Sequence, residues 1–148
     1  MALTQKEYNE QAVDWRTIKE GTVFGKLVYG VPRTDALHYA AETVLDDDPW
    51  YMEDSPFGGP IVPPGYFYGE YLRLIVIPNY PMGVLNSQLS FESKGPVFHG
   101  EQLTVTGTVD RRYEKRGRPY MDLGICVEKA DGKIVGSGVV TILLEMGG

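Results

Sequence analysis

The chain has 148 residues, enough for one domain with a sizeable core, and 43% are hydrophobic, which excludes a disordered tract. A formal net charge of -6 excludes nucleic acid and an anionic membrane surface as partners, because both demand a basic face. The single cysteine, Cys126, permits no internal disulfide and suits a reducing compartment.

Residues 1–20 form a polar lead-in with at most one short helix. Their opening, "MALTQKEYNEQAVDW", lacks the apolar run of a signal peptide. The longest apolar run, "YLRLIVI", is interrupted by Arg73 and too short to span a bilayer. A soluble, cytoplasmic protein is expected.

Residues 21–31 have strand chemistry in Val23, Phe24, Leu27, Val28 and Tyr29. Thr34 is a good N-cap and Asp35 suits a helix's first turn. Ala36, Leu37, Tyr39, Ala40, Ala41, Val44 and Leu45 then supply an apolar stripe, which the aspartate run and Pro49 terminate. A second helix is predicted over residues 65–74. It is apolar or aromatic almost all round, so it should be wrapped by other structure.

The second half reads as strands, at residues 86–93, 101–113, 120–129 and 133–146. Leu103, Val105 and Val109 share one face, as do Met121, Leu123, Ile125 and Val127. "EKRGRP" and "KADGK" are the turns, and Asp131-Gly132 is a strong hairpin signal. The order is strand, helix, buried helix, then an antiparallel meander of four strands. That is an α+β hot-dog fold, an antiparallel sheet wrapped around a central apolar helix. No repeat or linker divides the chain, so residues 1–148 form a single domain.

The segment "LDDDPWYMEDSPFGGPIVPPGY", residues 45–66, is the unusual one. Three adjacent carboxylates at a helix C-terminus oppose the helix dipole, so a solvated acidic end is mildly costly. A calcium loop would need oxygen ligands at alternating positions around a glycine turn, and that spacing is missing. No histidine or cysteine pattern suggests zinc, and neither metal nor cofactor is expected.

The same segment resembles the MaoC-like hydratase/dehydratase family, whose hot-dog members carry Asp-x-Asn-Pro-x-His after their first helix. Here the run is Asp46-Asp47-Asp48-Pro49-Trp50-Tyr51, followed by "FGGPIVPPGY". Downstream, "FESKGPVFHGEQLTVTGTV" is similar to the family's "F…PV..GD.L" stretch, through Pro96, Val97, Gly100, Glu101 and Leu103. "DGKIVGSGVVTI" is similar to its last hairpin, and the likeness covers about residues 20 to 144. By that likeness Asp46 matches the catalytic aspartate, and Asp48 stands where asparagine is usual.

Tyr51 stands where the family has histidine. Hydration of an enoyl thioester needs a base near neutral pKa, and tyrosine, at about 10, is a poor one. Losing such a base costs a factor of ~10²–10⁴ in rate. "DDDPWYMED" is especially similar to the non-catalytic subunit type of (3R)-hydroxyacyl-thioester dehydratases. The resemblance implies a protein of fatty acid metabolism that binds an acyl-CoA or acyl-carrier-protein thioester. A partner bearing Asp and His would then do the chemistry. Two alternatives stay open: an independently active hydratase using Asp46 and Tyr51, or a small-ligand or polyketide-processing hot dog with other chemistry. Edge-to-edge pairing implies a homodimer or a heterodimer with another hot-dog chain.

His38, about two turns ahead of Asp46, is a further catalytic candidate or simply a helix-surface histidine. His99 falls at a strand start where solvent exposure is the expectation. Gly58 and Gly59 permit a tight loop, and the resemblance implies that their N–H groups polarise a thioester carbonyl. Tyr66 and Tyr68 of the second helix are core residues or line an acyl tunnel. The hairpin "RRYEKRGRP" is a solvated basic tip or a contact for phosphate or an acidic carrier protein. Cys126, with no paired histidine, is not expected to be a nucleophile.

Overall fold

The computed structural model describes residues 17–43, 45–46, 48–63, 66 and 85–144. The predicted helix at 65–74 lies outside them except for Tyr66, and so does Tyr68. Among the described residues no helix is long and apolar enough to cross a membrane.

Strand β1 (Val23–Gly30) leads into helix α1 (Arg33–His38) and a π-helical turn (Tyr39–Thr43). Pro32, not Thr34, occupies the N-cap, with φ -60° and ψ 147° and no side-chain cap bond. Proline is already fixed at the φ that starts a helix, so the helix begins two residues earlier than a threonine cap would set it. The stripe also stops early. Leu45 adopts φ 53°, is 81% exposed, and lets the Asp46 N–H close on the Ala40 carbonyl at 2.7 Å. A leucine in that left-handed region is uncommon, and it turns the aspartates away from the helix. Pro49 does more than end a helix. It opens a second one, α2 (Pro49–Met52), where its missing N–H is no loss.

Strands β2 (Leu85–Ser93), β3 (Gln102–Lys115), β4 (Arg118–Lys129) and β5 (Ile134–Leu143) complete one antiparallel sheet of order β1-β3-β4-β5-β2. The expected meander of four is therefore a meander of three. β2 pairs with β5, not with β3. The reason lies in residues 94–101, which cross the end of the sheet in place of turning back. Lys94 N–H bonds the Val135 carbonyl (2.8 Å) beside β5, and Gly100 N–H bonds the Val31 carbonyl (2.7 Å) beside β1.

The period-two pattern places one face inside. Leu103, Val105, Val109, Met121, Leu123, Val127, Val140 and Ile142 are completely buried. Each such side chain contributes roughly 1.5–3 kcal/mol by leaving water. Phe24, in a bulge of β1, lies so close over Gly107 that a Cβ there would stand 2.4 Å from the ring. The outer face, with Thr104, Thr106, Thr108 and Cys126, is half-buried.

Gly107→Ala should cost ~1–3 kcal/mol through this overpacking. Phe24→Leu should recover part of the loss, and chemical denaturation of the two variants and their combination checks the coupling.

Candidate functional site

The site forms where the crossing connection meets the segment after α1. Asp46 Oδ1 accepts the Asp48 N–H (3.1 Å), and Asp48 Oδ1 accepts the Trp50 N–H (2.9 Å) as the N-cap of α2. Both aspartates are exposed, and through these bonds each holds the loop in shape. The Ile61 N–H bonds the Trp50 carbonyl (2.8 Å) and the Val62 N–H bonds the Val97 carbonyl (2.7 Å). The loop is thereby stitched to the connection.

Between them lies a cleft of about 430 Å³, walled by Trp50, Tyr51, Phe57, Ile61 and Val62 on one side and residues 93–97 on the other. Trp50 and Phe57 meet edge to face at 6.0 Å and stay 45% and 51% exposed, an apolar rim open to a ligand. Lys94 supplies the positive charge of the lining. A wider concavity of about 520 Å³ lies on the outer face, around Thr106, Asp110, Cys126 and Ser137. It shares no residue with the Tyr51 loop.

Tyr51 is half-buried in the cleft wall. Burial raises its phenol pKa, and the carboxylates of Asp46 and Asp48 raise it further. The structure thus brings Asp46, Asp48 and Tyr51 together electrostatically. The phenol stays protonated at neutral pH, a donor and not a base.

His99 overturns the expectation of a solvent-exposed loop residue. Both ring nitrogens are shielded from water and complete no hydrogen bond with any described residue. The turn that carries it is closed by the Glu101 N–H on the Phe98 carbonyl (3.3 Å), with Gly100 at φ 83°, the conformation a type II turn reserves for glycine. Lys129 anchors the turn's far side through Glu101 (3.0 Å) and lies 5.1 Å over the Phe98 ring. Burial lowers the pKa of His99 and the Arg33 guanidinium lowers it further. The Ile61 and Tyr51 carbonyls partly oppose the shift without forming geometric bonds. Arg33 also reaches the Met52 carbonyl at 3.4 Å. The one sequence signal for this histidine was the glycine that follows it.

The remaining candidates divide. Gly58 is exposed and its N–H donates to the Ser55 carbonyl (3.1 Å), so that group is engaged in a turn and is not a free carbonyl-polarising donor. Gly59 lies against the Phe98 ring and its carbonyl accepts the Ser55 hydroxyl. Tyr66 packs on the core and meets Tyr39 edge to face at 5.4 Å. His38 is exposed at the end of α1. Cys126 is half-buried, and burial raises its thiol pKa, as an inert thiol requires. Among the described residues no cluster of ligating side chains could hold a metal ion.

No protein-family model and no curated protein sequence matches this chain. Solved structures do. A MaoC-like dehydratase from Rhodospirillum rubrum superposes with a TM-score of 0.77 at 17% identity, covering 93% of this chain and 99% of that one. An (R)-hydratase from A. caviae involved in PHA biosynthesis gives 0.73 at 18% identity, covering 86% and 97%. The HadBC (3R-hydroxyacyl-ACP dehydratase) complex from Mycobacterium tuberculosis gives 0.69 at 17% identity, covering 86% and 98%. At these identities the likeness shows the fold, and it is the expected hot dog.

Because the folded-state pKa of His99 lies below that of the unfolded chain, its stabilising effect is full above about pH 6.5 and is lost as pH falls. His99→Gln should therefore flatten the drop in Tm between about pH 7.5 and 5.5, measured by thermal unfolding in matched buffers.

Proposed function

We propose that this chain is a hot-dog protein of the MaoC-like hydratase/dehydratase type that binds an acyl thioester, acting as the acyl-binding subunit beside a chain that bears Asp and His. The observation that carries this reading is Tyr51, a half-buried phenol on the wall of an apolar cleft, kept protonated by burial and two neighbouring carboxylates. A group in that state can donate a hydrogen bond to a thioester carbonyl or a water. It cannot take a proton at neutral pH, so the base for hydration must come from elsewhere. His99 does not supply it, since neither ring nitrogen reaches solvent.

The rest of the cleft suits binding. Trp50, Phe57 and Ile61 offer an apolar surface to an acyl chain or its pantetheine arm, and Lys94 offers a charge to a phosphate or carboxylate. Asp46 keeps the place of the catalytic aspartate in the family's motif, but its side chain is exposed and holds the loop. The heteromeric dehydratase complex among the similar structures supports a division of labour between two hot-dog chains.

The isolated protein should bind a non-reactive acyl-CoA analogue and give no turnover of crotonyl-CoA or longer enoyl-CoAs. Tyr51→Phe should weaken that binding about 5–10-fold, the worth of one hydrogen bond. Isothermal titration and an assay of enoyl-thioester absorbance, at roughly neutral pH, decide it. Robust hydration by this chain alone, lost in Asp46→Ala, would overturn the subunit reading in favour of an independent hydratase.

A further inference from the structure

The cleft opens into a rim of negative charge. Helix α2, which carries Trp50 and Tyr51 into the cleft wall, is bracketed by Asp46 and Asp48 before it and by Glu53 and Asp54 after it. On the other side Glu92 immediately precedes the wall of residues 93–97. All five carboxylates are exposed, and none forms an ion pair with a described residue.

Positive charge is scarce there. Among the described residues Lys94 is the only cation of the lining. Arg33 donates to the Met52 carbonyl (3.4 Å), and Lys129 is held by Glu101 (3.0 Å). Lys133 follows closely on Asp131, whose carboxylate accepts its N–H at 2.9 Å. The exposed cluster of Lys115, Arg116 and Arg118 lies at the far turn of β3, a strand of 14 residues. That places it about 45 Å of extended strand away.

The rim's field reaches the place a ligand would take. The Tyr51 phenol, on the cleft wall, holds its proton more tightly because of the carboxylates of Asp46 and Asp48, in addition to its burial. A thioester carbonyl bonded to that phenol would lie in the same field. An acyl thioester of coenzyme A has two chemically different parts. Its acyl group and pantetheine arm are uncharged and match the apolar surface of Trp50, Phe57 and Ile61. Its far end is a nucleotide bearing pyrophosphate and a further phosphate, which meets the rim with like charge. Like charges set opposite one another discriminate between ligands that share all their favourable contacts.

Resting on the acyl-thioester reading above, we infer that the cleft selects its ligand by carrier: it takes the acyl group and the uncharged pantetheine arm, and it disfavours the phosphates of coenzyme A. Glu53, Asp54 and Glu92 are the determinants to vary, since Asp46 and Asp48 also hold the loop. Cations for the phosphates then fall to the second chain. Exposed charges act weakly one by one and are screened, so the signature is a salt-dependent ratio of affinities.

Isothermal titration of the full chain compares butyryl-pantetheine with butyryl-CoA, which share the acyl group and the arm. At about 20 mM salt butyryl-pantetheine should bind roughly 3–10-fold tighter, and the gap should close at about 0.5 M salt. The combined variant Glu53→Gln, Asp54→Asn, Glu92→Gln should cut the low-salt ratio about 2–3-fold, with butyryl-pantetheine affinity unchanged. Asparagine at position 54 keeps an oxygen to accept the Ser55 N–H (2.9 Å), and the unchanged affinity shows that the variant is folded. Tighter binding of butyryl-CoA at low salt, or a ratio that the variant fails to move, overturns the inference and leaves the acyl-thioester reading standing. Failure of both thioesters to bind overturns the two together.

Discussion

The crossing of the sheet's end by residues 94–101 is the constraint on which the rest depends. Its backbone bonds to Val135, Val62 and Val31 tie β5, the cleft loop and the end of β1 into one ledge. Without it β2 could lie beside β3, and the sheet would be a plain meander with no floor for a cleft. With it, β2 is carried to the far edge, and the Tyr51 loop has a backbone partner to dock on. Four backbone hydrogen bonds contribute only a few kcal/mol in total. Their consequence is large because they decide which strands are neighbours.

The same ledge separates two titrating groups by environment. Tyr51 is pushed up by burial and by negative neighbours, and His99 is pushed down by burial and by a positive one. Both are therefore neutral at physiological pH, one as a donor in the cleft wall and the other sealed behind it. Paired groups whose environments drive their pKa values apart often mark acid and base roles. Here the shifts act against that division, since the phenol cannot lose its proton and the imidazole cannot meet a substrate. What remains is an apolar cleft with a hydrogen-bond donor in its wall, the arrangement on which the proposed binding role rests.

Rings over glycines make the sheet's interior close. Phe24 occupies the space above Gly107, and Phe91 does the same over Gly136 and Gly138. In each case an aromatic from an edge strand covers a residue of a neighbouring strand that has no side chain to pack. This joins the two edges to the sheet's middle and lets edge strands with several exposed residues remain in register. Among the described residues no ring covers a glycine of the outer face, and there Asp110 faces Asp122, which Arg111, Tyr113 and Thr141 hold.

The alternation of Leu103, Val105 and Val109, and of Met121 through Val127, was legible in the sequence because a strand's faces repeat every two residues and burial follows. So was the Asp131-Gly132 hairpin. Pairing order was not, because the bonds that carry β2 across the sheet join residues far apart in the chain, and no local pattern encodes them. The burial of His99 was hidden for the same reason. Its own neighbours are turn residues, and what shields it is the loop from Tyr51 to Ile61, brought there only by folding. Local chemistry wrote the elements and the unusual loop. Long-range backbone bonding alone determined which groups face one another across the cleft.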